Sequence, residues 1–338
     1  MSSFTFIVSS SSLSVVPSDD VAEYIRDKRD PQAYDGEIQR LRFVPEDETA
    51  NETWILEAGI HCTSLGAGPD ELTADFPIYV EKKIREVEGA NVVYVQGAEL
   101  AVTSREILLC GECDSIAKVV TTDDGVEISC PNGCGEVAKG DEIGEANDIW
   151  YQNNIGDKTD IQTMQEYGYI LAQKVMSIDN EEKLDPVLNV KMKEVALDVD
   201  NGILTLAARE DVLNAVITKV GDGYNMITEI GYMELGNKVA IFLCPGEFDP
   251  ILVYGGPASG DASWMGDEWG MPALKDCTDC KYVMAFGLCN DQAGYVLRDN
   301  EYHSIIGENE EVNVISKTAG STFVASFMDL ISGLEATA

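Results

Sequence analysis

Four cysteines in the stretch CGECDSIAKVVTTDDGVEISCPNGCG have the type and spacing of metal ligands. Cys110 and Cys113 form a C-x2-C pair, Cys130 and Cys134 form a C-x3-C pair, and 16 residues separate the two. Two short loops, each carrying a pair of thiolates, can converge on one tetrahedral zinc. Gly111 and Gly133 allow the tight turns that point both sulfurs of a pair inward. Between the pairs, KVVTTDDGVEIS reads as a hairpin with Asp124-Gly125 at its turn, which brings the loops together. So small a segment has little core, and a metal would supply much of its local folding energy. Zinc with four thiolates keeps no open position, so this site is expected to be structural or partner-binding. Disulfides, free thiols and a redox iron site are the other readings of the same spacing.

The remaining candidates carry weaker signals. Cys277 and Cys280 form a second close pair, while Cys62, Cys244 and Cys289 stand singly. They read as ordinary buried or loop cysteines unless some of them converge. The chain has two histidines, so each one matters for metal or acid-base chemistry. His61 ends the apolar run TWILEAGI, and a histidine there reads by itself as a packed core residue. His303 lies in a polar stretch and reads as surface.

The elements that must position these groups follow from periodicity. Strands are predicted at Ile38–Val44 and Trp54–Ile60, and a β-like run at Phe4–Val8 precedes the cluster Ser9–Ser12. Phe76, Val80, Ile84 and Val87 recur at helical spacing, with Gly89 as the stop. VVYV at 92–95 then reads as a buried strand. Residues 139–160 read as a polar connection, and Met164, Leu171 and Val175 mark a helix. Gly202–Ala208 is expected to be a strand, with a short helical run near 210–220. MITEIGYMEL and KVAIFL read as strands joined by Gly236-Asn237. Tyr282–Leu288 reads as a strand and Ser321–Leu334 as a helix. The alternation predicts an α/β fold with mixed sheets and packed helices. One domain is expected over 1–105 and 140–338, with the cysteine hairpin inserted at 106–139.

Composition narrows the partners. A formal charge of -37 over 338 residues repels nucleic acid and anionic membrane, so neither is an expected partner. No apolar run approaches the ~20 residues of a bilayer span. The N-terminal stretch lacks a basic leader region and a clear cleavage site. Together with paired cysteines, this predicts a cytoplasmic, reducing environment.

Four segments together resemble the neutral, non-lysosomal ceramidases, a family of zinc-dependent amide hydrolases. EAGIHCTSLGAGPDELTADFPIYVEKKI resembles a strand ending in a zinc-ligand histidine, then a loop, an aspartate and a helix. ANVVYVQGAELAVTS resembles the strand and loop of the catalytic serine. TEIGYMELGNKVAIFLCPGEF is similar to the hairpin before a Pro-Gly-Glu ligand motif, and FGLCNDQAGYVLRDNEY to the strand of a ligand tyrosine. The resemblance implies that His61, Glu247 and Tyr295 are zinc ligands, with Asp75 orienting a ligand or the helix start. It implies a nucleophile position at Thr103, or at Ser104 if the register slips by one. It also exposes departures. Ser12 and Ser14 stand where a His-Thr-His element is expected, and Ala101 replaces the nucleophile loop's aspartate. The segment between Asp20 and Arg29 is short.

The expected protein is a divergent ceramidase-like one with lost or reduced hydrolysis. It would carry structural zinc and serve binding or assembly with an unknown protein partner or with itself. The alternative is a zinc-dependent amide hydrolase acting on a small N-acyl, ceramide-like substrate.

Overall fold

In the computed structural model the described residues are 5–12, 25–27, 33–46, 49–65, 72–104, 108, 110–113, 115, 117–122, 125–150, 153, 160–179, 181–302 and 313–335. Ser14, Asp124, His303 and Arg29 therefore lie outside them.

In chain order come β1 (Thr5–Ser12), β2 (Ile25–Asp27), β3 (Glu37–Val44), β4 (Thr53–Ala58), α1 (Pro77–Glu88), β5 (Asn91–Gln96) and β6 (Val102–Ser104). The cysteine segment holds β7 (Lys118–Thr122), β8 (Gly125–Ser129), β9 (Ala138–Gly140) and α2 (Ile143–Trp150). Then follow α3 (Asp160–Met176), β10 (Glu182–Leu184), β11 (Leu188–Asp198), α4 (Gly202–Arg209), β12 (Val216–Val220), β13 (Gly223–Leu235) and β14 (Val239–Leu243). The last elements are β15 (Glu247–Phe248), α5 (Pro250–Tyr254), β16 (Tyr282–Phe286), β17 (Tyr295–Val296) and α6 (Ala319–Glu335).

Two mixed sheets form the body. The first has the order β10-β1-β3-β4-β5, and the second β11-β13-β14-β16, with β12 on the other end of β13. The β4/β5 and β14/β16 pairs are parallel, and the other pairs within these two sheets are antiparallel. Alternation along the strands assigns the faces. Ile38, Trp54 and Leu56 pack with Val80 and Ile84 of α1 and with Leu171 and Val175 of α3. Their neighbours Leu41 and Ile55 turn the other way, onto Val239, Ile241 and Met284 of the second sheet. The far face of that sheet carries Ala240, Phe242 and Ala285 against Phe323 and Phe327 of α6. The order of layers is helices, sheet, sheet, helix. The fold is thus α/β with mixed sheets, as the alternation predicts.

The expected helix at 73–88 begins at Pro77, and Gly89 ends it in the left-handed conformation, φ 69°. Gly236 and Asn237 both have positive φ, 59° and 53°, so the reversed order still makes a tight hairpin, because asparagine tolerates that region.

Three expectations are corrected. Gly202–Arg209 is a helix, not a strand, because the Asn201 side chain accepts bonds from Ile203 N and Leu204 N and caps it. The run near 210–220 ends in strand β12, paired to β13, rather than in a helix. Residues 139–160 are not a bare connection. Ala138 of β9 and Ala146 and Trp150 of α2 share one buried cluster with Cys110, Ile128 and Cys130.

Between the two sheets lies a buried polar layer. Gln39 Nε2 donates to Val283 O at 2.5 Å, crossing from one sheet to the other. Glu57 is fully buried there, and its Oε2 and Asp35 Oδ2 have no hydrogen-bond partner. Burial, aided by the nearby charge of Glu37, pushes the Asp35 carboxyl up to about 7. Burial and then the charge of Asp35 hold Glu57 well above the usual carboxylate range. A carboxyl raised on folding stabilises the fold while protonated, and that contribution is lost as pH rises through its folded value. For Asp35 the loss amounts to roughly 2–3 kcal/mol between pH 5 and 8. Asp35→Asn should therefore melt several degrees above the native chain at pH 8 and by a clearly smaller margin at pH 5, where only the unfolded carboxyl is ionised. Thermal unfolding at both pH values measures this, and an equal shift at both refutes it.

Candidate metal centres

Among the described residues, two groups of three or more His, Cys, Asp or Glu converge. They are Cys110, Cys113, Cys130 and Cys134, and His61, Glu99 and Glu247.

The first group is built by the hairpin. β7 and β8 pair antiparallel from Lys118↔Ser129 to Thr122↔Gly125, and β9 adds a third strand against β8. A Cβ on Gly125 would run into the Gly140 carbonyl, so β8 and β9 approach as closely as they do only with glycine there. Gly133 takes φ 73° in the second cysteine loop and donates its N–H to Cys130 O at 2.9 Å. Gly111 is not among the left-handed glycines; its loop closes instead through Cys110 N to Ser115 O at 2.9 Å.

One sulfur from each of the four cysteines lies within 4.8 Å of the others, and all are free thiols. Sulfurs around a tetrahedral zinc with ~2.3 Å bonds sit about 3.8 Å apart. Cys113 and Cys130 Sγ are 3.5 Å apart, and Asn132 reaches both, through Nδ2 to Cys113 and its backbone N to Cys130. Hydrogen bonds from the Asn132 and Ser115 side chains pull the Cys113 thiol down to about 6. Burial pushes Cys110 up. The cluster has the size and donor chemistry to hold a metal ion.

The second group sits where strands end. His61 follows β4, Glu99 follows β5, and Glu247 opens β15 just beyond β14. β4/β5 and β14/β16 are the parallel pairs of the two main sheets, and the carboxyl ends of such strands are where open sheets place their sites. His61 N and Nδ1 both meet Val102 O, at 3.0 and 2.7 Å. A carbonyl only accepts, so Nδ1 carries a proton and Nε2 is left to face Glu247. Nε2 lies 2.7 Å from Glu247 Oε2. Burial pulls the imidazolium down, but Glu247, the charge of Glu99 and the Val102 carbonyl outweigh it and leave His61 at about 9.

Glu99 carries the signal that periodicity misses. It is 1% exposed, and its Oε2 has no hydrogen-bond partner. Burial raises it to about 8, while the imidazolium of His61 opposes that rise. Its loop is pinned by Leu100 N to Phe248 O at 3.2 Å, next to Glu247, and by Val102 N to Glu99 O at 2.7 Å. An acid three residues beyond the strand-like run VVYVQ was the available clue.

Each of the other candidates has its own place in the fold. Tyr295 pairs with Glu247 across the parallel β15/β17 ladder, and its ring packs with Leu100, Ala101, Leu297 and Val314. Thr103 lies on β6, with Arg26 of β2 opposite it and a backbone bridge to His61. Ala101 turns the loop at φ 62°. Asp75 is buried and serves the loop after His61. Its carboxylate accepts from Ser64 N at 3.1 Å, Leu65 N at 3.0 Å and Phe76 N at 2.8 Å, and also from the Ser64 hydroxyl. It ties that loop to the start of α1. Ser12 ends β1 opposite Glu37. Cys277 and Cys280 belong to neither converging group and pack at the margin of the second sheet's core.

One imidazole and two carboxylates fit a divalent cation. They do not match the set with further histidines that the resemblance implies for zinc.

No family model matches the chain, and no curated protein matches it in sequence. Solved structures match it in fold. Neutral ceramidase from Pseudomonas aeruginosa superposes with a TM-score of 0.58 at 12% identity, covering 98% of this chain and 52% of that one. A ceramidase complexed with C2 gives 0.58 and 12%, covering 99% and 54%. The chain spans about half the length of these structures. At such identity the likeness establishes architecture alone: this protein has a ceramidase-like fold.

Proposed function

We propose that the chain is a divergent ceramidase-like protein with lost or reduced hydrolysis. It holds a structural zinc on Cys110, Cys113, Cys130 and Cys134 and works through binding or assembly. The observation that carries this reading is the make-up of the cleft. Among the described residues, His61 is the one imidazole there, and its Nε2 is already engaged by Glu247 at 2.7 Å. The position implied for the nucleophile is a threonine held on a strand, a bulkier hydroxyl than serine.

Zinc suits the hairpin because four thiolates in a tetrahedral cage are a typical closed zinc set. The metal would crosslink two loops around a small core of which Cys110 and Cys130 are themselves buried members. Cys113→Ser should release the zinc and loosen residues 108–150, while the two-sheet body stays folded. Metal content and hydrogen exchange across the two regions measure this. Unchanged zinc content would mean that the cysteines are not the ligands.

A second reading, a zinc-dependent amide hydrolase for N-acyl substrates, draws on the convergence of His61, Glu99 and Glu247. A metal on three protein donors keeps an open position and can polarise a carbonyl or activate water. Zinc stoichiometry after exhaustive dialysis, followed by turnover of a short-chain N-acyl sphingosine with added zinc, separates the two. One zinc per chain and no turnover are expected. Robust zinc-dependent turnover abolished by Glu247→Ala would overturn the silent reading in favour of the hydrolase.

A further inference from the structure

We infer that the exposed face of the second sheet around β11 docks a partner protein through an amphipathic helix that carries a lysine or arginine beside its apolar stripe. The inference rests on the binding role proposed above and deepens it by naming the surface and the class of partner.

The alternation of β11 turns over in mid-strand. Val195 and Leu197 are buried in the core that α6 covers. Towards the start of the strand that same face carries Asn189, Lys191 and Lys193, and Lys193 Nζ reaches Asp329 of α6 at 2.7 Å. The apolar residues of this stretch stand on the opposite face. Leu188, Val190 and Met192 are 56%, 48% and 40% exposed there. A strand turns its apolar set to the face that is to be covered, so this stretch is patterned for a cover on its open side.

The register shows what that face belongs to. Leu188, Val190 and Met192 pair with Leu235, Met233 and Gly231 of β13, which pair in turn with Val239, Ile241 and Leu243 of β14. Those β14 residues are buried with Leu41 of the first sheet. The exposed row is therefore the inter-sheet face, continued outward past the first sheet. Further along, Val216 of β12 extends it through Ile227 and is 63% exposed. A helix about 10 Å across covers two strands spaced ~4.8 Å apart, here β11 and β13.

Charge selects the partner. Glu194 and Glu229 stand directly opposite each other in the middle of this face, and both are exposed. Like charges so placed are destabilising, and among the described residues no ion pair neutralises either one. A lysine or arginine laid over the pair would relieve it. A second copy would set one charge of -37 against another, and an anionic membrane is repelled in the same way. The occupant that fits is a basic, apolar helix of a different protein.

The test is anisotropy of a labelled Leu/Lys amphipathic peptide of about 18 residues titrated with the zinc-loaded full chain. Saturable binding is expected, with hydrogen-exchange protection of β11 and β13, and no binding of the same peptide with Glu in place of Lys. Val190→Ser should weaken binding by roughly fivefold or more, yet leave the melting temperature of the free chain within about 2 °C, as an exposed residue should. The double exchange Glu194→Gln and Glu229→Gln should weaken binding by roughly fivefold. Glu86→Gln, an acid of α1 that is 71% exposed, should not. Should Val190→Ser fail to fold, the glutamate exchange carries the same expected loss. No binding, binding indifferent to these substitutions, protection elsewhere, self-association through β11 in sedimentation, or adsorption to phosphatidylcholine vesicles would each overturn the proposal. Zinc content and turnover test the functional reading separately, so a failure here is distinguishable from a failure there.

Discussion

The cleft depends on how closely backbones approach where the two sheets meet. Gly97, just beyond β5, is wedged between Gly59, just beyond β4, and Gly287, just beyond β16. A Cβ on Gly97 would collide with the Glu57 carboxylate, and one on Gly287 with the Gly97 carbonyl. Gly97 N donates to Ala58 O at 2.9 Å, and Gly287 N to Gln96 O at 2.8 Å. Any side chain there would push the sheets apart. Because the ends of β4, β5 and β16 are locked at this spacing, His61 and Glu99, each two residues further on, leave their strands side by side. The second sheet delivers Glu247 to the same place. The site is therefore a consequence of backbone packing before it is one of side-chain chemistry.

A buried ion pair holds the other wall. Arg298 Nε lies 3.0 Å from Asp249 Oδ2, with side chains 3% and 0% exposed. Asp249 also caps α5 through Ile251 N at 3.0 Å, and Arg298 continues to Glu301 at 2.8 Å. Such a pair adds little net stability over an apolar one, but removing one partner strands the other charge at a cost of about 3–5 kcal/mol. Its use here is positional. Asp249 is two residues from Glu247, and Arg298 three from Tyr295, so the pair keeps β15 and β17 in register at the cleft.

What sequence reveals here follows physical range. The cysteine hairpin was legible because its ligands, turn and strands lie within one short segment. The helix ending at Gly89 and the Gly236-Asn237 hairpin were legible for the same reason. The readings failed where a local pattern admitted two answers. Gly202–Arg209 has apolar residues that fit a strand as well as a helix, and the Asn201 cap decides it. The role of α2 was hidden because its polar composition conceals Ala146 and Trp150, the two residues that pack on the hairpin. Glu99 was the least visible. Only its place just past a strand-like run marks it, and its meaning depends on His61 and Glu247, which a parallel crossover and a second sheet bring to it.

The two candidate centres differ in what their surroundings contribute. The cysteine cluster sits in a small core of its own, with Leu108, Val126, Ile128, Ala138 and Trp150 among its members and no residue shared with the main sheets. A core of that size buries too little apolar surface to fix its loops unaided, so crosslinking by a metal is worth most there. The cleft is the opposite case. Its donors are mounted on strand ends already fixed by glycine packing, a buried ion pair and the shared Val102 carbonyl. A cation bound there adds little to folding and meets a prepared arrangement. A metal at the hairpin would therefore act on stability, and one at the strand ends would add little to it.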